Sequence, residues 1–219
     1  MTVKLYFAPG ACSFVPHTLL ETAGEPFEPV LVKLHKGENQ TPEYKALNPR
    51  GQVPVLVDGR EVITQIVAIV SYLDDRFPQC NFLPRESLAR TRVLETLAWM
   101  NNTVHPAFTH VFMPYKFAGS AEAQAEIKRF NAALYASMLG ELEAMAQSAS
   151  QQGRPYLGGA QFGPLDAYAL TLLRWGGFAG HDPQGYPAAW ALAQRVAALP
   201  AVARAIERER LQLNVYKAG

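Results

Sequence analysis

Cysteine is nearly absent: 219 residues hold two, Cys12 and Cys80. Two are too few for a disulfide framework, which agrees with a reducing compartment. They are not spaced Cys-x-x-Cys, so a dithiol mechanism is excluded and only single-thiol exchange remains. Surplus charge is missing as well. Twenty Lys and Arg stand against 19 Asp and Glu, a net charge of +1. No basic surplus points to nucleic acid and no polybasic block to an anionic membrane. The wholly apolar runs, Ile66–Val70 among them, are at most six residues long, far short of a membrane span. The opening MTVKLYFAPG lacks the apolar core and cleavage site of a signal peptide, so a cytoplasmic location is expected. Neither an internal repeat of 20–50 residues nor a low-complexity tract is present.

What remains is ample material for a core, 49% hydrophobic against 18% charged, too apolar for a disordered chain. The first eighty residues read as mixed α/β. VKLYF (3–7) is a strand closed by Ala8-Pro9-Gly10. FVPHTLLETAG (14–24) has helical apolar spacing, Ser13 before it as a candidate cap and Gly24 as its stop. FEPVLVKL (27–34) is a second strand, and TPEYKALNP (41–49) a capped helix with proline at its first position. VPVLV and EVIT flank Asp58-Gly59, a hairpin signal. QIVAIVSYLDDRF (65–77) is a third helix. Beyond it the texture is helical: Leu88 to Phe117, Glu122 to Gln147, Pro164 to Trp175, Pro187 to Leu199 and Pro200 to Arg210. The expected division is an α/β domain over 1–80, a linker over 81–88 and an all-helical domain over 89–219.

Two features suggest chemistry. Pro54 stands at the mouth of a good strand, where proline cannot donate to a ladder. A cis Val53–Pro54 bond would turn the chain and leave the Val53 backbone facing a ligand. Cys12 lies between a strand end and a helix start. It reads either as a small buried cysteine beside a capping serine, or as a thiol whose pKa the helix N-terminus lowers, with the Ser13 hydroxyl as donor to a sulfur anion. Cys80 has no helix start or base near it in sequence and reads as a spacer. His105 and His110 are five apart, off the i,i+4 spacing of a helical metal pair, and no metal is expected.

The strand, the Pro-Gly turn, PGACSFVPH, NPRGQVPVLVDG and the helical second half together resemble the cytosolic glutathione transferases, the bacterial beta class in particular. The resemblance covers essentially the whole chain. It implies a thioredoxin-like N-terminal domain followed by an all-α domain, a homodimer, and glutathione as co-substrate. It implies that Val53, before a cis Pro54, pairs its backbone with the cysteinyl part of glutathione like an added strand. Cys12, Ser13 and His105 correspond to active-site positions, and Gln52, Val53, Pro54, Gln65 and Ile66 to glutathione-binding ones. Phe14, Phe112 and Tyr115 are the expected walls of an electrophile pocket. QFGPLDAY (161–168) resembles the family's capping element, with Gly163 and Asp166 in folding roles.

The pattern is broken at Ile66, where a serine or glycine is usual and a hydroxyl with helix N–H groups holds the γ-glutamyl carboxylate. Losing one hydrogen bond to a charged group costs roughly 1.5–3 kcal/mol, about tenfold to a hundredfold in affinity, and the branched side chain is expected to shadow the anion. Ala98 replaces a usual asparagine and Pro106 a usual lysine; Asn101 and Asn102 lie one turn on as substitutes. The implied activity is conjugation of glutathione to small hydrophobic electrophiles. The alternatives are single-thiol disulfide exchange through Cys12 and a non-catalytic dimeric member with weakened glutathione binding.

Overall fold

The computed structural model describes residues 2–218. Four strands form one sheet: β1 (Val3–Phe7), β2 (Phe27–Leu31), β3 (Val55–Asp58) and β4 (Glu61–Thr64), in the order β2-β1-β3-β4. β1 runs parallel to β2 and antiparallel to β3, and β3 and β4 make the hairpin around Asp58-Gly59. Val3, Leu5 and Phe7 are buried at alternate positions of β1, the period-2 pattern of a strand. Val55 and Leu56 are both fully buried, as befits a strand with neighbours on either side. β3 begins immediately after Pro54, so the missing N–H falls outside the ladder.

Three helices accompany the sheet: α1 (Phe14–Ala23), α2 (Pro42–Leu47) and α3 (Ile66–Arg76). Gly24 ends α1 in the left-handed conformation, φ +74°, which glycine adopts without steric cost. Thr41 caps α2, its Oγ1 accepting from the Tyr44 N–H at 3.3 Å. Ile66, Ile69, Val70 and Leu73 bury one stripe of α3 at i, i+3, i+4 and i+7. The sheet, these helices and α9 (Pro200–Glu209) make one compact unit, residues up to 90 with 197–211. α9 lies on α1. Its Arg204 Nε is 2.8 Å from Glu21 Oε2 and its Arg208 Nη2 is 3.1 Å from Glu21 Oε1.

The second unit, residues 91–196 and from 212 onward, is helical. It takes in most of α4 (Ser87–Trp99), then α5 (His105–Phe112), α6 (Ala121–Gln151), α7 (Pro164–Phe178) and most of α8 (Pro187–Ala197). α7 is its buried centre, with Tyr168 and Leu172 fully buried and the Tyr135 hydroxyl of α6 donating to the Leu172 carbonyl at 2.6 Å.

Two expectations on element limits need correction. β2 stops at Leu31 rather than Leu34, because Leu34–Lys36 turns as a 3₁₀ segment with Gly37 at φ +72° behind it. The expected helix from Leu88 to Phe117 is not continuous: a π-helical turn, Met100–Val104, divides α4 from α5, and α5 ends at Phe112. The apolar spacing carries through the π turn, so the periodicity does not betray it.

Candidate active site

The segment from Asn48 to Val55 is held by its own polar groups. Asn48 is buried; its Nδ2 donates to the Gln52 carbonyl at 2.8 Å and its Oδ1 accepts from the Arg50 N–H at 3.2 Å. The Tyr44 hydroxyl donates to the same Gln52 carbonyl at 2.9 Å. Gly51 is required twice over. Its φ is +61°, and a Cβ there would lie 2.8 Å from the Asn39 carbonyl oxygen. The result is a fixed approach to Val53–Pro54, whose peptide bond is cis. Tyr44→Phe is expected to lower stability by about 1 kcal/mol, a fall in Tm of about 2–4 °C; an unchanged melting curve would show that Asn48 alone suffices.

The Cys12 sulfur lies 3.5 Å from the Val53 carbonyl oxygen, so the thiol can donate to it. That carbonyl has a second lone pair for another donor. The structure thus brings Cys12 and Val53 together, and of the two readings of the thiol it favours the buried one. Burial pushes the Cys12 thiol up to about 12, and the nearby backbone N–H groups only partly oppose this. Desolvation outweighs the helix end here, and the group is a neutral thiol at neutral pH. Ser13 is also differently engaged than expected. It is wholly buried, accepts from the Ala8 N–H at 3.1 Å and donates to the Ala8 carbonyl at 3.2 Å. A hydroxyl has one proton, and this one is used in closing the turn rather than offered to a sulfur anion.

Gln65 precedes α3 at φ +73° and ψ 128° with its side chain exposed. A non-glycine residue held there costs about 1–3 kcal/mol, and such strain gathers at functional sites. Ile66 follows, 2% exposed, and belongs to the apolar stripe of α3. The expectation that it shadows an anion is therefore corrected: its side chain is core packing. What it still lacks is a hydroxyl. Phe14 is corrected likewise. At 1% exposure it is core of its own unit and no pocket wall.

In the helical unit, His105 starts α5 directly after the π turn, a helix irregularity frequent at functional sites. Its Nδ1 is 2.8 Å from the Tyr168 hydroxyl, which is 3.3 Å from Asn101 Oδ1. Asn101 Nδ2 in turn donates to Asn102 Oδ1 at 2.8 Å. Burial pulls His105 down to about 4, so it is a neutral imidazole at neutral pH. Trp175 meets its ring edge-on at 4.8 Å. Phe108 stacks on Trp175 at 4.5 Å and on Phe112 at 5.4 Å. Phe112 and Tyr115 are exposed.

The family follows from comparison. A profile of the glutathione S-transferase N-terminal domain matches residues 1–75. The glutathione S-transferase GstA of Escherichia coli O157:H7 is 32% identical over 218 residues, covering 96% of this chain and all of that one. The chain belongs to the glutathione S-transferase family. Among solved structures, the bacterial beta-class transferase of Sphingomonas chungbukensis superposes with a TM-score of 0.82 at 31% identity, over 95% of this chain and all of that one. A sphingomonad glutathione S-transferase complexed with glutathione gives 0.79 at 33% identity, with the same coverage of 95% and 100%. The thioredoxin-like unit with its mixed sheet, and the helical remainder, are those of this family.

Tyr168 and Trp175, which hold His105, were not anticipated, and neither was Glu209. Tyr168 lies 63 positions from its partner, and nothing local marks it. Glu209 places Oε2 2.8 Å from the Gly10 N–H and Oε1 2.6 Å from His17 Nδ1. Among the described residues no group of three or more His, Cys, Asp or Glu is placed to hold a metal ion, and no helix is long and apolar enough to cross a membrane.

Proposed function

We propose that this transferase conjugates reduced glutathione to small hydrophobic electrophiles as a cytoplasmic homodimer, with Cys12, Ser13, Gln52, Val53, Pro54 and Gln65 serving glutathione in the first unit and His105 an active-site residue of the helical one. The observation that carries this is the Cys12 thiol 3.5 Å from the Val53 carbonyl, just ahead of β3. A peptide laid along Val53 pairs with its backbone as an added strand, and its own thiol then lies beside Cys12. The relative crystallised with glutathione, 33% identical over 95% of this chain, supports glutathione as that peptide. Gln65 stands at the start of α3, where helix N–H groups favour the γ-glutamyl carboxylate.

The state of Cys12 favours conjugation over disulfide exchange. Exchange needs an attacking thiolate, and burial keeps this thiol protonated. A neutral thiol has one S–H to donate, and turning it from the Val53 carbonyl to the sulfur anion of bound glutathione stabilises that anion. That anion, its proton released to water, attacks the electrophile; a sulfur–carbon bond forms and the leaving group departs with its electron pair. Ser13 acts by fixing the turn that carries Cys12. Exposed Phe112 and Tyr115 offer apolar surface for the electrophile.

Calorimetry with reduced glutathione tests this. Sub-millimolar binding is expected, and Ile66→Ser should tighten it by about tenfold or more while lowering stability, since the side chain leaves a core stripe. Undetectable binding by the natural protein would put the non-catalytic reading in its place. With binding in hand, Cys12→Ala should keep part of the conjugating activity; a variant that loses only disulfide exchange would reverse the order of the two chemistries.

A further inference from the structure

The Glu209 carboxylate is wholly buried at the end of α9, and both its oxygens are used inside the unit that carries Cys12. Oε2 accepts from the Gly10 N–H at 2.8 Å, and Oε1 lies 2.6 Å from His17 Nδ1. Gly10 is two residues before Cys12, and His17 is five after it, on α1. Gly10 is also left-handed, φ +68°, so the turn that leads to the thiol is bent around this carboxylate. From the arrangement of these groups we infer that Glu209 is a positioning residue that acts on Cys12: it fixes the Gly10–Cys12 turn and keeps a negative charge behind the thiol, so that the thiol stays protonated and donates to the Val53 carbonyl.

The pair is packed among aromatic rings. The His17 ring packs against Phe7 at 5.1 Å and Phe27 at 5.7 Å, and its Nε2 is buried without a hydrogen-bond partner among the described residues. Arg204 and Arg208, the cations of α9, are both engaged with Glu21 at the surface side of α1. The two rings against His17 come from β1 and β2, and Arg208 of α9 lies over the Phe27 ring at 5.6 Å. A buried anion interacts through a medium of low polarisability, so it adds to burial in holding a neighbouring thiol protonated. The direction agrees with Glu209 among the causes that raise the thiol, after burial. This inference concerns Cys12 itself and stands whichever reaction the site performs.

The test is alkylation of Cys12 by iodoacetamide at pH 8–9 in the full chain carrying Cys80→Ser, followed by mass spectrometry. At these pH values the rate follows the small thiolate fraction. Glu209→Gln is expected to raise the rate about tenfold, corresponding to a fall of about one unit in thiol pKa. Glu209→Asp, which keeps the charge on a shorter stem, should remain near the parent rate. A purely structural role predicts the opposite ranking, with Asp loosening the turn at least as much as Gln, and that ranking would overturn the proposal. Should Glu209→Gln not fold, His17→Asn serves in its place: it keeps the carboxylate and its Gly10 bond, so alkylation at or below the parent rate supports the proposal and faster alkylation overturns it. Glutathione conjugation is followed in parallel. A lost glutathione affinity with an unchanged alkylation ranking separates failure of the glutathione reading from failure of this one.

Discussion

Asp166→Ala is expected to lower stability by about 2–4 kcal/mol at pH 5, through two N–H groups losing their acceptor at once. Asp166 is wholly buried in the first turn of α7. Its Oδ2 accepts from the Gly163 N–H at 2.9 Å and its Oδ1 from the Leu157 N–H at 2.8 Å. Gly163 has no side chain to cap the helix, so the Asp166 carboxyl takes over the capping of α7 and ties the preceding turn to it. The loss also depends on pH. Burial pushes the Asp166 carboxyl up to about 7, against the pull of its N–H donors. The native state therefore takes up a proton more readily than the unfolded chain. That contribution is complete below about pH 4 and is lost as pH rises through about 7. The difference between parent and Asp166→Ala should narrow from pH 5 to pH 8. His105, which burial pulls down to about 4, works the other way, removing stability as pH falls from about 6.5. It does so in parent and variant alike and drops out of the difference. Urea unfolding of both proteins at the two pH values measures this; a gap that widens with pH would mean that the N–H bonds, not burial, govern the carboxyl.

The legible parts of this molecule are those whose cause is local. NPRGQVP can be read because its reasons lie within the motif: Asn48 ties Gln52, Gly51 supplies a conformation no other residue enters without strain, and Pro54 follows at a cis bond. Asp58-Gly59 gives a hairpin and Gly163 with Asp166 a helix start for the same reason. What was misread depends on burial, which no short window reports. Cys12 stands beside a helix start as expected, yet its protonation is decided by how much protein covers it. Phe14 and Ile66 are hydrophobic residues at family site positions, and only the packed structure shows both belonging to cores. Glu209 joins His17 across 192 positions, beyond any motif, and in the sequence it is one of two acids in a charged helix.

Asp74→Ala is expected to cost about 2–4 kcal/mol, the scale of breaking a buried charge away from its partners. The expected linker begins just after α3, and the Asp74 side chain is the charged tie between it and the rest of its unit. Asp74 is wholly buried, with Oδ1 accepting from the Leu83 N–H at 3.0 Å. Its Oδ2 is 2.9 Å from Arg85 Nη1 and 2.7 Å from Arg90 Nη1. Arg85 also donates to the Pro78 carbonyl at 3.1 Å, closing the segment on itself. Phe82 and Leu83 are buried, so residues 81–88 are an anchored strap rather than a loose tether. Removing the carboxylate leaves the Leu83 N–H without its acceptor and two guanidiniums without their shared anion. Arg85 and Arg90 are partly exposed and regain water, which keeps the loss below that of a fully enclosed pair. Asp74→Asn separates the parts: it retains an acceptor for Leu83 while losing the charge, and should fall between parent and alanine variant. Limited proteolysis reads the same change locally, with cleavage between 78 and 90 expected in Asp74→Ala under conditions that leave the parent intact. Equal resistance in both proteins would mean that burial of Phe82 and Leu83 holds the strap without the ion pairs.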